Sequence, residues 1–238
     1  MKTKPLYLDD SYLKEMDAEI LEVVTEGEGR YRIILDQTVF YPMGGGQATD
    51  QGKLEGDCSG EVYQVLNKDG EIWHFVKSTI LPTPGMKVHG TINWDRRYKN
   101  MKLHSAGHIV DFAMYKLGLS PKTLVPMKAD HDKNPHIVYQ GTVTEDFKQK
   151  LQDQTNELVA NNLGFSWYFQ PLDDLQKEAI YLQPGLPTNK PLRTLKLENV
   201  GAVADGGTQV KHTSEVGKII IESIENQENL TLVRYSIA

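Results

Sequence analysis

Short runs of alternating hydrophobic and polar residues dominate the first 92 positions of the chain. The strand-like runs cover residues 31–35, 61–65, 71–76 and 88–92. Turns rich in glycine and proline separate these runs. Several short strands at this spacing predict a small β-barrel or folded sheet. Residues 11–24 fit either a helix or a strand, because their apolar positions partly satisfy both periods.

The pattern changes near Trp94, where apolar positions begin to recur every three or four residues. Residues 98–119 contain no proline and end near Gly118, which predicts a long helix. Further helices are predicted over residues 145–162 and 171–180, and strands over residues 136–139, 165–169, 192–197, 218–223 and 229–236. Helices mixed with mostly antiparallel strands indicate an α+β fold. We therefore predict two domains, a β-barrel over residues 1–92 and an α+β domain over residues 93–238.

Composition narrows the class of protein. Hydrophobic residues make up 39% of the 238 positions, enough for real cores, and no apolar run reaches the roughly 18 residues that span a bilayer. The N-terminus turns acidic before any apolar stretch, unlike a secretory signal. One cysteine, Cys58, excludes an intramolecular disulfide framework and a multi-thiolate zinc site, and it suits a reducing cytosol. We therefore expect a cytoplasmic protein, and we assign Cys58 no catalytic role.

Charge gives a mixed indication. The formal net charge of −6 weighs against a general nucleic-acid binder. A local basic stretch nevertheless precedes the middle of the long helix, formed by Arg96, Arg97, Lys99 and Lys102. This stretch is either a phosphate-binding surface or a solvated helix face.

Two histidines, His104 and His108, lie four positions apart on the predicted long helix. Such residues share one helix face with Cβ atoms about 6 Å apart, which lets both imidazoles bind one zinc ion at about 2.1 Å. The alternative is a pair that only packs or contacts solvent. Gly107 costs a helix about 1 kcal/mol relative to alanine, so its presence predicts a close approach to the backbone. The remaining histidines outside the C-terminal segment are expected to be structural or solvated: His74, His89, His131 and His136.

Two glycine-rich segments are further candidates. Gly206 and Gly207 follow Asp205 in a turn that either brings this carboxylate toward a ligand or simply joins two strands of a hairpin. Residues 44–46 are three consecutive glycines, whose amides either bind an anion or belong to a flexible surface loop. This second segment lacks the Lys-Ser/Thr pair of a P-loop.

Four motifs, taken in order, carry a specific resemblance. They are Phe-Tyr-Pro-Met-Gly-Gly-Gly-Gln at residues 40–47, Trp-Asp-Arg-Arg-Tyr at 94–98, His-Ser-Ala-Gly-His at 104–108, and Gly-Gly-Thr at 206–208 with Thr-Ser-Glu-Val-Gly at 213–217. Nearly the whole chain resembles the AlaX-type alanyl-tRNA editing proteins, free-standing relatives of the alanyl-tRNA synthetase editing domain. The resemblance implies a small β-barrel followed by an α+β editing domain. It also implies a hydrolase that removes a wrong amino acid, chiefly serine and sometimes glycine, from alanine tRNA.

The resemblance implies one zinc ion per chain, but two ligand positions differ from the family pattern. His104 and His108 carry over directly, whereas the family's cysteine and second-motif histidine are Asp205 and Gln209 here. A carboxylate oxygen binds zinc at about 2.0–2.2 Å, so Asp205 is the expected third ligand. Gln209 is a neutral amide and a weak ligand, and His212 is the alternative if the loop bends differently. Two histidines and a carboxylate also resemble non-haem iron sites, which leaves the metal identity open.

The expected partner is the acceptor end of alanine tRNA, with no membrane and no obligate protein partner. We expect His104 and His108 to direct attack on the ester, the Gly206 and Gly207 amides to stabilise the oxyanion, and Thr208 to act beside them. The expected substrate contacts are Thr38, Gly44, Gly45, Gly46, Gln47, Arg96 and Arg97. Three alternatives stay open: a non-catalytic tRNA-binding protein with a degenerate metal site, an iron-dependent oxygenase, and a deacylase for another aminoacyl ester.

Overall fold

Six strands close into a barrel within the part of the chain that the computed structural model describes, residues 3–144 and 146–238. In chain order, the elements up to residue 92 are β1 (Lys4–Pro5), α1 (Leu6–Asp9), β2 (Glu15–Gly27), β3 (Arg30–Leu35), β4 (Gln37–Thr38), β5 (Gly52–Gly56), β6 (Gly60–Lys68), β7 (Glu71–Ser78) and β8 (Lys87–Ile92). The barrel order is β2-β3-β7-β6-β5-β8, with every neighbouring pair antiparallel. β1 and β4 pair separately, in parallel. The predicted β-barrel is therefore present.

Alternation of buried and exposed residues explains why these segments are strands. In β7, Ile72, His74 and Val76 are buried while the residues between them are more exposed. β2 shows the same period of two from its first residues, which settles the ambiguous segment over residues 11–24 largely as a strand. A period of two places every second side chain inside the barrel, where it joins one hydrophobic core.

The rest of the chain mixes helices with antiparallel sheets. Its elements are α2 (Trp94–Lys116), β9 (Val125–Asp130), β10 (His136–Gln140), α3 (Phe147–Ala160), β11 (Phe165–Gln170), α4 (Leu172–Glu178), β12 (Leu192–Leu197), β13 (Gly201–Ala204), a 3-10 helix (Thr213–Val216), β14 (Ile219–Gln227) and β15 (Leu230–Ile237). One sheet has the order β14-β15-β10-β9 and the other β11-β12-β13, and all their pairs are antiparallel. These elements bear out the α+β class.

The chain forms two compact units, the first ending at Asn100 and the second beginning at Met101. The predicted boundary between residues 92 and 93 falls just before helix α2. The predicted start of the second helix, residue 145, lies outside the described residues, and α3 is observed from Phe147. Among the described residues, no helix combines the length and the apolar character needed to cross a membrane.

Helix α2 carries the histidine pair, and both of its ends have identifiable caps. Asn93 accepts a hydrogen bond from the Arg96 amide at 3.1 Å, a typical N-cap interaction. At the other end, the Gly118 amide bonds to the Tyr115 carbonyl and the Leu119 amide to the Met114 carbonyl. Gly118 adopts a φ of 75°, so this end is a Schellman motif, as the sequence signal at Gly118 predicts.

Candidate metal centre

Two histidines and one carboxylate converge inside the second unit. His104 and His108 lie on consecutive turns of α2, and Asp205 follows directly after β13. The three residues each offer one ligand atom within 4.8 Å of the others. The Asp205 Oδ1 atom lies 3.3 Å from His104 Nε2 and 3.4 Å from His108 Nε2, and all three side chains are at least nine-tenths buried. We call these three residues the triad.

The spacing of the triad suits a metal ion. Ligand atoms that bind a tetrahedral zinc ion at about 2.0–2.1 Å lie about 3.3–3.4 Å from one another. Among the described residues, neither ring nitrogen of buried His108 has a hydrogen-bond partner. Buried polar atoms are almost always satisfied, and Nε2, which lies 3.4 Å from Asp205 Oδ1, is the nitrogen that a cation at the triad would satisfy. The donor set therefore fits a divalent ion.

The electrostatics of the triad agree with this chemistry. Burial raises the pKa of Asp205, but His104 and His108 together hold it well below its usual range. Burial is the main influence on His104 and lowers its pKa, against the attraction of Asp205. An ionised carboxylate and a neutral imidazole are the forms that bind metal. For His108, Asp205 and Asp111 outweigh burial and raise the pKa. A proton or a metal cation can therefore satisfy the charge of Asp205.

A third histidine, His131, packs against the triad. Its ring stacks on that of His104, with centroids 4.5 Å apart, and it is 5% exposed. Tyr235 donates its hydroxyl to the Leu103 carbonyl at 3.1 Å, so the contact between His131 Nδ1 and this hydroxyl needs the proton on Nδ1. Burial, followed by the charges of His104 and His108, lowers the pKa of His131.

His131 was expected to be structural or solvated, and its burial and its hydrogen bond to Tyr235 agree with a structural role beside His104. The signal that points to it is Gly107, because a Cβ on this residue would lie 2.4 Å from His131 Cε1. The close approach to the helix backbone that Gly107 predicts is therefore made by His131, together with Tyr235. The sequence alone does not identify which group makes that approach.

The turn after β13 holds Asp205 in place but does not supply every predicted catalytic group. The Gly207 amide donates to Asp205 Oδ1 at 3.1 Å, so the structure corrects its assignment to an oxyanion. Gly206 is exposed, and a Cβ there would meet nothing within 4 Å, so a substrate has room to approach. Thr208 is fully buried.

Gln209 and His212 differ in their relation to the triad. Gln209 is fully buried, and its amide nitrogen donates to Asp205 Oδ2 at 3.0 Å. His212 is exposed and occupies the N-cap position of the 3-10 helix, outside the metal-ligand group found among the described residues. The structure thus brings together His104, His108 and Asp205, with Gln209 contacting only the carboxylate.

The triple glycine of the first unit is an ordered turn. The amides and carbonyls of Gly44 and Gln47 bond to each other at 3.2 and 2.9 Å. Gly45 and Gly46 have φ values of 54° and 78°, which is the pattern of a type I′ turn. Positive φ at both central positions explains why these two residues are glycines. The Gly44 and Gln47 amides are engaged within the turn, and Gln47 is buried.

Two other predicted substrate contacts are engaged inside the first unit. Thr38 is fully buried, with its hydroxyl 2.7 Å from His74 Nε2. Arg97 is also fully buried, forms an ion pair with Asp50, and donates to the Ser11 carbonyl at 2.8 Å. The structure therefore corrects the assignment of Arg97 to phosphate binding, because its guanidinium group faces the protein interior.

Arg96, unlike the fully buried Arg97, is half-buried. Its Nε atom donates to the Thr49 carbonyl at 2.8 Å. Lys99 is exposed and Lys102 is half-buried. The basic stretch therefore presents less positive charge to solvent than the sequence indicates.

The chain combines a six-stranded barrel with an α+β unit in which two buried histidines face one carboxylate. These features define a two-unit α+β protein with a candidate metal centre. A family model described as class II (A) tRNA synthetases matches residues 11–96. The chain is 35% identical to the alanyl-tRNA editing protein AlaX-M of Saccharolobus solfataricus over 235 residues, which is 94% of both chains. The chain belongs to the AlaX family of alanyl-tRNA editing proteins.

Two longer relatives share the same region. Over 236 residues the chain is 33% identical to the alanyl-tRNA editing protein AlaX-L of Pyrococcus horikoshii, which covers 97% of this chain and 57% of that protein. It is 32% identical over 225 residues to the alanine–tRNA ligase of Thermococcus kodakarensis, covering 24% of the ligase. Both units of the chain lie within these matches.

Proposed function

We propose that this protein is a trans-editing deacylase that hydrolyses the ester of alanine tRNA carrying serine, and secondarily glycine. The observation that carries the proposal is the triad, a buried two-histidine, one-carboxylate cluster in a member of an alanyl-tRNA editing family. A buried cluster with metal-ligand spacing is a common basis of ester hydrolysis in proteins.

His104, His108 and Asp205 are the residues that would hold a divalent metal ion, with zinc as the first candidate. Such an ion supplies Lewis-acid polarisation of an ester carbonyl and activates water for attack at neutral pH. Three protein ligands leave a position for water, which is the usual arrangement of catalytic rather than structural zinc sites. Replacement of the family's thiolate and imidazole ligands should weaken the binding of the metal ion. The remaining set of two histidines and one carboxylate makes iron the second candidate.

The chain's own residues would then position the ester. Gly206 is exposed and follows Asp205 directly, so its backbone is the accessible surface next to the triad. With the Gly207 amide engaged by Asp205, the Gly206 amide is the remaining candidate from this turn for the oxyanion. Burial of the triad lowers the local dielectric constant, which strengthens the interactions of these groups with developing charge.

A preference for serine over alanine requires a contact that recognises the serine hydroxyl. A site that hydrogen-bonds a substrate hydroxyl can reject the analogue without it by about 10⁴-fold or more, because buried polar groups would be left unpaired. Discrimination by apolar fit alone is only about 10–200-fold per methylene. We therefore propose that a hydroxyl contact selects serine. Thr208 is the nearest hydroxyl residue along the turn but is fully buried, so it would contact a substrate only within the buried site.

The test is release of serine from serine-charged alanine tRNA, compared with release of alanine from correctly charged tRNA. We expect serine release to require His108, so that His108→Ala loses it at least about 100-fold while His136→Ala keeps it. His136 is a matched control because it lies at the start of β10 and outside the triad. Binding of the tRNA without serine release by the wild type would instead support a non-catalytic tRNA-binding protein.

A further inference from the structure

The two oxygens of Asp205 have different surroundings. Oδ1 faces His104 and His108 at 3.3 and 3.4 Å. Oδ2 accepts a hydrogen bond from Gln209 Nε2 at 3.0 Å. Arg193 Nη1 lies 3.3 Å from the same oxygen and donates to the Gly207 carbonyl at 2.9 Å. Oδ1 therefore faces the histidines and accepts from the Gly207 amide, whereas Oδ2 is held by Gln209 and Arg193.

Gln209 is itself oriented by a residue of helix α2. Ser105 lies between the two histidines in sequence, and its hydroxyl donates to Gln209 Oε1 at 2.6 Å. The Val210 amide donates to the same hydroxyl oxygen at 3.1 Å, so the Ser105 proton is directed to Gln209. Because Oε1 must then be the acceptor, the end of the amide that faces Asp205 is the donor. The network fixes the amide orientation without ambiguity.

These contacts direct both polar atoms of the Gln209 side chain to protein partners. Its oxygen accepts from Ser105, and its nitrogen, which has no lone pair to offer, donates to Asp205. Ser105 and Gln209 are both fully buried, so neither interaction competes with bulk water. The position that aligns with a histidine ligand of the family therefore acts on the carboxylate ligand instead.

We propose that Gln209 is a positioning residue that holds Asp205 as a one-oxygen ligand, and that Ser105 acts through Gln209. This inference rests on the metal site of the proposed function. Outer hydrogen-bond partners of ligands typically contribute 10–100-fold to metal affinity, because they fix the orientation of the ligand. Without Gln209, Oδ2 keeps only the longer contact with Arg193 at 3.3 Å, so Asp205 is freer to turn and offer both oxygens, which raises the coordination number.

Cobalt(II) is a suitable probe, because its visible absorption reports both affinity and coordination number. Metal-depleted full-length protein would be titrated with Co²⁺ in the wild type, Gln209→Leu, Ser105→Ala and the double variant. We expect each single variant to bind Co²⁺ about 10–100-fold more weakly, with weaker visible bands. In the Gln209→Leu background, Ser105→Ala should have an effect of less than about twofold, since coupled residues are not additive.

A Gln209 side chain that is itself a metal ligand would give a different pattern of Co²⁺ affinities. If Gln209 bound the metal through Oε1, removing the Ser105 hydroxyl would free that oxygen, so Ser105→Ala would bind Co²⁺ as tightly as the wild type or more tightly. That result, or unchanged affinity in Gln209→Leu, overturns the proposal. Thermal unfolding of the metal-free variants controls for folding, and Ser105→Ala, which removes one oxygen, carries the test if Gln209→Leu does not fold.

A separate readout distinguishes failure of this inference from failure of the proposed function. Asp205→Ala should abolish tight Co²⁺ binding, which establishes the ligand on which Gln209 acts. Serine release is measured independently of Co²⁺ affinity. Normal coupling between Ser105 and Gln209 in a protein that releases no serine would retain the positioning role and reject the deacylase.

Discussion

Gly107→Ala adds one methyl group to helix α2 between the two triad histidines, directly against the ring of His131. In an exposed helix this change stabilises by about 1 kcal/mol, because alanine has the higher helix propensity. Here the new Cβ would lie 2.4 Å from His131 Cε1 and 2.9 Å from the Tyr235 hydroxyl. Both distances are far below van der Waals contact, so the ring has to move.

The size of the effect follows from what the displaced ring loses. Overpacking a buried site costs about 1–3 kcal/mol, and breaking the hydrogen bond of His131 to Tyr235 adds about 1 kcal/mol or more. Subtracting the propensity gain of about 1 kcal/mol leaves a net destabilisation of about 1–3 kcal/mol. Because His131 stacks on His104, the same displacement should weaken metal binding at the triad.

Chemical denaturation of Gly107→Ala in two backgrounds measures this effect. In the wild-type background we expect the loss of about 1–3 kcal/mol. In a His131→Ala background the main obstacle is absent, so the penalty should shrink toward zero or reverse. A stabilising Gly107→Ala in the wild-type background would refute the reasoning, as would an equal penalty in both backgrounds.

Three further changes test the barrel unit. Arg97→Leu leaves the carboxylate of Asp50 buried without its partner and should cost about 3–5 kcal/mol in chemical denaturation; a loss below about 1 kcal/mol would contradict a buried ion pair. Burial lowers the pKa of His74 to about 4. Its folded-state pKa thus lies below the unfolded value near 6.5, so stability should fall by about 3 kcal/mol as the pH drops from about 6.5 to about 4. His74→Gln should remove this pH dependence of stability. An unchanged pH dependence in His74→Gln would contradict its assignment to His74. Gly46→Ala forces a non-glycine residue to a φ of 78° and should cost about 1–2 kcal/mol, whereas a neutral effect would contradict the type I′ turn.

Local periodicity explains which parts of the fold the sequence predicts. Four of the six barrel strands, β3, β6, β7 and β8, and the long helix have strong periods of two or near 3.6, so they are recognisable one segment at a time. β5, β9 and β13 were not predicted, because β13 has only four residues, and β5 and β9 lack a regular alternation of buried positions. The helix prediction succeeds at Gly118 because a Schellman cap requires a residue that tolerates positive φ.

Residues of the candidate site could be predicted from the sequence only where they lie close together along the chain. His104 and His108 share a helix face by geometry alone, whereas the role of His131 depends on tertiary packing against Gly107. For Arg97, the sequence predicted a surface role that the structure does not support. In sequence it belongs to a basic stretch, and only its distant partner Asp50 shows that its charge is internal.

The central claim is that the triad holds a metal ion that serves ester hydrolysis. The most direct measurement is serine release from serine-charged alanine tRNA by the full-length protein, after chelation and again after adding one equivalent of zinc. We predict that chelation removes serine release from the wild type, that zinc restores it, and that zinc does not restore it in Asp205→Ala. Full serine release by thoroughly metal-depleted protein, or zinc rescue of Asp205→Ala to the wild-type rate, would contradict the claim.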